Sequence, residues 1–454
     1  MSKPHSTARP LLALLLAAGV CQDGAARAQE VLFDFEGGNL GDEWGAFGEV
    51  SAWLDAAPPG GPEESGAAGN ALWIRGRDGS VVYNRGRALP ADLTPYESVS
   101  LWVYRDPSER WPDEITISFL EDDVRTRFWR SFTINHTGWK QYEAPLMWFR
   151  AGDSRMPRWD RVRYFSIRMG STVRMVLDQV ELVDEWPQVG ARLTPAAVRD
   201  AAFPRLPPEL TRIHTHGLAT VITDDPRVDV EAVADRLDAA ASEALAITPG
   251  ALPVARPAPL VIFARDSDYR DFIPRIGELL GATAIRPTTD GYTLHGIAAS
   301  SWNERYGNDR PVWTQEFIHA LMFDGLRLPS RSDWFNEGVA NVMQQRLHPQ
   351  PGFPRVVMAG LHAVGRPSLR EILDGQEIDD DDYWQAVSFY TMLLQHPQWG
   401  PRVPELVEEF RRRGTTDMAP FLDSYLGMGW EELEEKWIAW CEQAYGSQFA
   451  RAGE

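Results

Sequence analysis

The sequence predicts a multidomain protein in which an all-β jelly-roll sandwich is followed by an α+β domain. Between Val31 and Trp186 apolar residues alternate with a period of two and are interrupted by turn residues, which is typical of short antiparallel strands. After residue 208, short strand-like runs give way to long segments of helical period. A length of 454 residues allows two or three domains of ordinary size.

The first 28 residues have the pattern of a secretory signal. Lys3 and Arg9 precede the apolar run 11–20, and Ala26 and Ala28 are the small residues that a signal peptidase recognises. This run is too short to span a bilayer as a helix, which takes about 18 residues or more. We therefore expect cleavage after Ala28 and an exported protein, periplasmic or secreted, with no transmembrane segment.

Charge and cysteine content restrict the partners and the cross-links. The chain has 45 Lys and Arg against 65 Asp and Glu, a net charge of −20. Nucleic acids require a basic face, so we expect no nucleic-acid partner. The two cysteines are Cys21 and Cys441. Signal removal leaves only Cys441, so we expect no internal disulfide.

The changes in periodicity place the domain boundaries. We expect a signal peptide at 1–28, a jelly-roll domain at 29–186, a linker with five prolines at 187–208 and an α+β domain at 209–447. Within the last domain, strands are expected at 211–223, 260–264 and 291–301, and helices at 230–245, 312–324, 333–347, 383–395, 403–413 and 430–445.

The N-terminal domain opens with V-L-F-D-F-E-G-G (31–38) and closes with M-V-L-D-Q-V-E-L (175–182). With its tryptophan-rich strands, it resembles the jelly-roll modules grouped as carbohydrate-binding or galactose-binding-like domains. The resemblance implies a possible glycan partner. It also implies a structural calcium ion between an early carboxylate and one on the last strand, at positions matched here by Glu36 and Asp178. Calcium prefers such hard oxygen ligands.

Ten of the 18 tryptophans lie between Trp44 and Trp186. The flat apolar face of Trp can stack on a sugar ring, but most tryptophans of a sandwich are expected in its core. Trp111, Trp129 and Trp148 stand beside charged or turn residues. We expect these three to be the exposed ones.

The C-terminal domain carries V-W-T-Q-E-F-I-H-A-L-M-F (312–323) and S-D-W-F-N-E-G-V-A-N (332–341). Gln315 and His319 are four residues apart, so they project from one face of a helix. Glu337 begins the next helix. The pattern, from about 211 to 447, resembles the gluzincin metallopeptidases and most closely their peptidase MA-like branch. In that family H-E-x-x-H and a glutamate on the next helix hold one zinc ion.

The resemblance implies a role for each residue. His319 and Glu337 would be zinc ligands, and Glu316 would be the general base that takes a proton from the zinc-bound water. Tyr383 would donate a hydrogen bond to the oxyanion. The substrate would be a peptide or protein.

Gln315 stands where the family has its first histidine ligand. An amide oxygen is a much weaker zinc donor than imidazole. The sequence therefore leaves three interpretations. The first is an inactive pseudopeptidase that binds glycan or peptide. The second is a working zinc hydrolase whose shell is completed by Gln315, water or another residue, and the third is a site for another metal or a chance likeness. His295 is a candidate substitute ligand, and His214 and His216 alternate on one strand.

Overall fold

The structure, a computed structural model, describes residues 29–451 with gaps. The residues not described within that range are 37–39, 41–43, 61–68, 85–88, 109–112, 122–126, 147–148, 150–156, 185–192, 248–256, 281–285, 327, 329–331 and 414. The predicted signal peptide lies outside the described residues.

The N-terminal domain is a sandwich of two antiparallel sheets. Its strands are β1 (Gln29–Phe33), β2 (Trp44–Phe47), β3 (Val50–Ala56), β4 (Asn70–Gly76), β5 (Val81–Asn84), β6 (Ser98–Arg105), β7 (Asp113–Glu121), β8 (Arg127–Ile134), β9 (Gly138–Pro145), β10 (Val162–Met169) and β11 (Val173–Val183). Sheet A has the order β3-β4-β11-β6-β9, with β1 also paired to β11, and sheet B has the order β2-β5-β10-β7-β8. The chain passes repeatedly between the sheets, as in a jelly roll.

The period-two pattern fills the space between the two sheets. Strand β7 contributes three fully buried side chains, those of Ile115, Ile117 and Phe119. They lie beside Phe165 and Ile167 of the neighbouring strand β10 in one apolar cluster. Each such side chain contributes about 1.5–3 kcal/mol when it is fully removed from water. The predicted antiparallel sandwich is confirmed.

The tryptophans of the sandwich are distributed differently from our expectation. Trp44 and Trp159 are buried in the core. The other described ones lie at outward-facing positions, as shown by the inward-facing core residues next to them in sequence or, for Trp139, next to its cross-strand partner Tyr104: Trp53, Trp73, Trp102, Trp129 and Trp139. Trp129 is exposed, as predicted. Trp111 and Trp148 lie outside the described residues.

The C-terminal domain begins with a sheet and continues as helices. Its strands are β12 (Arg212–His216), β13 (Ala219–Thr223), β14 (Ala258–Phe263), β15 (Gly291–Leu294) and β16 (Ile297–Ser301). Its helices are α1 (Pro195–Ala202), α2 (Val230–Ile247), α3 (Asp266–Leu279), α4 (Pro311–Gly325), α5 (Trp334–Leu347), α6 (Phe353–Leu361), α7 (Leu369–Ile372), α8 (Tyr383–Gln395), α9 (Val403–Arg413) and α10 (Trp430–Arg451).

The C-terminal sheet has the order β12-β13-β14-β16-β15. Strands β13, β14 and β16 are parallel, whereas β12 and β15 pair antiparallel at its two edges. Helix α4 contacts β14, β15 and β16 and packs against α5. This packing places α5 against α4, the helix that carries Gln315, Glu316 and His319.

Part of the predicted linker belongs to the C-terminal domain. Helix α1 lies within 187–208, and Phe203 packs on Phe263 of β14 with ring centroids 5.0 Å apart. The helix tolerates Pro195 because a proline fits the first helical turn, and Thr194 caps it by accepting a hydrogen bond from the amide of Ala197.

Two predicted strands are hairpins instead. The first turns at Gly217, between β12 and β13, and the second at His295 and Gly296, between β15 and β16. Positive φ angles of 47° and 79° at His295 and Gly296 are those that a two-residue hairpin turn requires. Helix α3, which contains Pro274, was not predicted because the proline masks its period.

The remaining predicted helices are present with bounds shifted by a few residues or fewer at most ends. Trp313, Trp334 and Trp437 are fully buried among them, and Cys441 is a buried free thiol. Along the stretches that the structure describes, no helix has both the length and the apolar character to cross a membrane.

Candidate functional site

Helices α4 and α5 bring the motif residues of the C-terminal domain together. Gln315, Glu316 and His319 lie on α4, and Glu337 lies in the first turn of α5. Asp333 caps α5: its Oδ1 accepts hydrogen bonds from the amides of Phe335 (3.0 Å) and Asn336 (3.1 Å). This cap fixes the start of the helix and hence the position of Glu337.

The carboxylate of Glu337 is surrounded by donors from this chain. Gln315 Nε2 donates to Oε2 at 3.3 Å, and Asn341 Nδ2 donates to the same oxygen at 3.0 Å. His319 Nε2 lies 3.5 Å from Oε1. Both carboxylate oxygens therefore face groups that carry or can carry a proton.

His319 and Glu337 form a buried pair. Burial by itself lowers the pKa of His319, but the adjacent carboxylate of Glu337 outweighs it and raises this pKa to about 9. The imidazole is accordingly held as a cation beside the carboxylate at neutral pH, with Nε2 protonated.

Glu316 is held from the neighbouring strand. Thr293 Oγ1 of β15 lies 2.8 Å from both Glu316 Oε2 and the Glu316 carbonyl oxygen. Burial raises the pKa of Glu316 to about 7. Strand β15 approaches closely because Gly291 has no side chain: a Cβ there would lie 2.6 Å from Glu316 Cγ.

A cleft of about 610 Å³ runs past these residues. Tyr292 and Tyr383 line it, as do Asp290, Glu377 and Asp380. Burial and the nearby Glu337 hold the pKa of Tyr383 well above its ordinary value, so it stays a protonated hydroxyl. In the sequence, Glu377 and Asp380 belong to an acidic run without helical or strand periodicity. Only the fold shows that these two residues line the cleft.

These residues do not fit the zinc site that the resemblance implies. His319 and Glu337 are two ordinary zinc ligands, but the third position presents the Gln315 amide, whose N–H groups point at Glu337. In the described part of the chain, no three of His, Cys, Asp and Glu are grouped so that they could hold a metal ion.

The other histidines do not supply the missing ligand. His295 lines the cleft, but it lies in the hairpin turn with its ring 5.7 Å from that of Phe323. His216 lies beside α2, with Nδ1 3.4 Å from Asp235 Oδ1. His214 is on the same strand β12, away from the cleft lining.

The calcium position predicted in the sandwich contains a buried carboxylate, that of Asp178. Asp178 of β11 is 1% exposed; its Oδ1 accepts from the amide of Gln179, and its Oδ2 is buried with no hydrogen-bond partner. Burial, together with Glu36 and Asp34 nearby, raises its pKa to about 7. Calcium accepts carboxylates together with carbonyls and water, but among the described residues no third His, Cys, Asp or Glu is grouped with this pair.

The outer face of sheet B combines aromatic and polar side chains. Tyr83, Ser166, Ser118 and Trp129 stand directly opposite one another on β5, β10, β7 and β8. With strands about 4.8 Å apart, this register row, the sugar row, extends about 14 Å. The Oγ of Ser118 is buried without a hydrogen-bond partner.

Large rings on this face are open to solvent. Phe47, Trp129 and Tyr164 are 72%, 46% and 37% exposed. Thr116 and Ser131, in the next register row, bond to each other through their hydroxyl oxygens at 2.8 Å. Exposed rings beside half-buried hydroxyl groups, those of Thr116 and Ser131, are suited to a ligand that has both apolar and hydroxylated faces.

Sheet A has aromatic residues on its outer face as well, but its own chain crosses them. Trp73 Nε1 donates to the carbonyl of Ala56, and Trp139 Nε1 donates to that of Pro58 at 2.9 Å. Trp73 and Trp139 lie on strands at opposite sides of β11. The segment after β3 therefore lies against Trp73 and Trp139, while Trp53 of the same face stays 37% exposed; the most exposed rings of the two faces, Phe47 and Trp129, are on sheet B.

No family model matches this chain. No curated protein matches it either. Among solved structures, it is similar to the family 11 carbohydrate-binding module of a cellulosomal cellulase of Clostridium thermocellum, with 18% identity and a TM-score of 0.26, over 35% of this chain and 96% of that one. It is also similar to the CBM22-1 xylan-binding domain of Paenibacillus barcinonensis Xyn10C, with 14% identity and a TM-score of 0.23, over 36% of this chain and 99% of that one.

An exo-beta-agarase is similar over 49% of this chain and 31% of its own, at 14% identity and a TM-score of 0.30. The sandwich fold of this protein is established by its own strand pairing, independently of these likenesses.

Proposed function

We propose that this protein is an exported glycan-binding protein and that its sandwich binds the sugar through the outer face of sheet B. The observation that carries this proposal is the sugar row, in which the rings of Tyr83 and Trp129 stand on either side of Ser166 and Ser118. The C–H face of a pyranose stacks on an aromatic ring, and its hydroxyls bond to polar side chains beside the ring. Ser118 and Ser166 are only 1% and 3% exposed, so the half-buried hydroxyls of Thr116 and Ser131 in the next register row are the ones that can meet the sugar. An oligosaccharide can lie along such a row.

The test is binding of oligosaccharides to the full chain by calorimetry or a glycan array. Trp129→Ala and Tyr83→Ala should each weaken binding about tenfold, since a ring contact contributes about 0.5–1.5 kcal/mol beyond the area that it buries. Tyr306→Ala, which removes an exposed ring of the C-terminal domain, is the matched control. Unchanged binding in both sandwich variants would exclude this face.

A second function concerns the cleft, which we propose binds peptide without hydrolysing it. The observation in its favour is the contact of Gln315 Nε2 with Glu337 Oε2, which occupies the carboxylate that the gluzincin family uses for zinc. The working zinc hydrolase, the opposite interpretation, requires that this contact be broken and another ligand be supplied.

Gln315→His separates the two interpretations. The variant restores H-E-x-x-H with Glu337, so it should bind about one zinc per chain, whereas the parent should bind none. Metal content by mass spectrometry and peptide cleavage with and without chelator give the readout. Gln315→His with Glu337→Gln is the control. Stoichiometric zinc and chelator-sensitive cleavage in the parent would refute the non-hydrolytic proposal.

We also propose that Asp178 and Glu36 bind calcium as a structural ion. Calcium at one hundred times its Kd would stabilise the folded chain by about 2.7 kcal/mol. Thermal unfolding with calcium and with chelator measures this. Asp178→Asn should lose the calcium-dependent rise in Tm, while Asp160→Asn, an exposed carboxylate elsewhere in the sandwich, should keep it. No rise in the parent would refute the site.

Export remains part of the proposal and rests on the N-terminal sequence alone. The protein recovered from the periplasm or the medium should begin at Gln29. N-terminal sequencing of the mature protein tests this, and a mature chain that retains Met1 would refute it.

A further inference from the structure

Two exposed arginines lie on the face proposed to bind sugar. Arg168 of β10 and Arg127 of β8 occupy outward positions and are exposed. Neither guanidinium has an ion pair or a hydrogen bond with any described residue, although the chain has a net charge of −20. Some other arginines of the sandwich surface are paired, such as Arg77 with Glu49 at 2.6 Å, whereas Arg75 on sheet A is exposed and likewise has no ion pair or hydrogen bond among the described residues.

Each arginine lies beside one ring of the sugar row. Arg127 precedes Trp129 by two residues, so both point to the same side of β8, about 7 Å apart along the strand. Arg168 is opposite Val81, the next outward residue from Tyr83 on β5. A sugar stacked on either ring therefore has a guanidinium at its edge.

The spacing of the two charges fits an oligosaccharide. Arg168 and Arg127 are two strands apart and four residues apart along the register, which places their Cα atoms about 17 Å from each other. Among the described outward-facing positions, this face has one carboxylate, Glu114, and it forms an ion pair with neither arginine. The arginines thus exceed the acid on a face of an otherwise acidic chain.

We propose that the ligand of this face is an acidic oligosaccharide and that Arg127 and Arg168 bind its carboxylates. This inference rests on the proposed glycan-binding function of the face. A guanidinium binds a carboxylate through two parallel N–H···O bonds. A neutral glycan would leave both charges without a partner, whereas a uronate chain supplies a carboxylate on each ring unit. The long-range repulsion from the acidic chain is screened beyond about 10 Å at ordinary ionic strength.

The test measures binding of the full chain to uronate tetramers: galacturonate, glucuronate, mannuronate and guluronate. The methyl ester of each tetramer is its uncharged control, and oligosaccharides of glucose, xylose and galactose are the neutral ligands. At least one uronate tetramer should bind about tenfold or more tightly than its uncharged ester. That preference should weaken as salt is raised. Arg127→Gln and Arg168→Gln should each reduce it, whereas Arg75→Gln, the same charge change on sheet A, should not.

The outcomes separate the two proposals. If neutral sugars or esters bind as tightly as the acids and the arginine variants bind normally, the acidic ligand is refuted while the glycan-binding face stands. If Trp129→Ala leaves uronate binding intact, the acid is bound elsewhere and this inference is wrong. If no sugar of either class binds, both proposals fail together.

Discussion

At the scale of single residues, the cleft depends on close contacts around two glutamates. Glu337 accepts from Gln315 and Asn341 and lies beside His319. Glu316 is held by Thr293, at a distance that only a glycine on the same strand permits. At Gly291 a Cβ would lie 2.6 Å from Glu316 Cγ and 2.8 Å from Val312 Cγ2. The glycine therefore sets how near β15 lies to α4.

Gly291→Ala should destabilise the protein by about 1–3 kcal/mol, because the added methyl overpacks the contact between β15 and α4. Urea unfolding measures this. Gly446→Ala is the control: nothing lies within 4 Å of a Cβ there, and alanine in a helix should gain about 0.5–1 kcal/mol. Equal stability of Gly291→Ala and the parent would contradict the contact.

At the scale of elements, the N-terminus of α5 positions Glu337. Asp333 is buried and accepts from two backbone amides, and its Oδ2 also accepts from Asn336 Nδ2 at 2.9 Å. Helix α7 has a comparable N-terminal cap in Ser368, but the Ser368 cap is exposed to solvent. Water can replace the lost partner only at the exposed cap.

Asp333→Ala should cost about 2 kcal/mol or more, because a buried cap leaves amides and the Asn336 side chain unsatisfied. Ser368→Ala should cost about 0.5–1 kcal/mol. Chemical denaturation of both variants provides the comparison. The capping argument for Glu337 would be refuted if Asp333→Ala were no more destabilising than Ser368→Ala.

At the scale of the whole molecule, the sandwich and the helical domain each have an apolar core of their own. Cys441 belongs to the core of the helical domain, where it is fully buried. Burial raises the pKa of its thiol to about 12. In a chain that begins at Gln29 it is the only thiol, so its reactivity reports on that domain.

In such a chain, a thiol reagent at pH 8 should label Cys441 only as the C-terminal domain unfolds, because the thiolate is scarce and access is blocked. The labelling rate should rise with denaturant in parallel with loss of helical circular dichroism. The unfolded chain should take up one label. Rapid stoichiometric labelling in buffer alone would contradict the buried position.

The sequence by itself determined the period-two sandwich and most helices, including α8 and α9 with the bounds observed, because those patterns are local. It also placed Gln315 and His319 on one helical face. Local pattern failed at the linker, where α1 packs on the C-terminal sheet, and at His295, where a hairpin turn interrupts the expected strand.

Other features were decided by the tertiary structure alone. Contacts between distant segments place Gln315 on Glu337, lay the segment after β3 against Trp139, and set Tyr83 of β5 opposite Ser166 of β10. Residue spacing along a strand or helix gives the direction of a side chain, but not which other element it meets. Strand register and helix packing determine which other element it meets. They thereby create the sugar row and the contact of Gln315 with the carboxylate of Glu337.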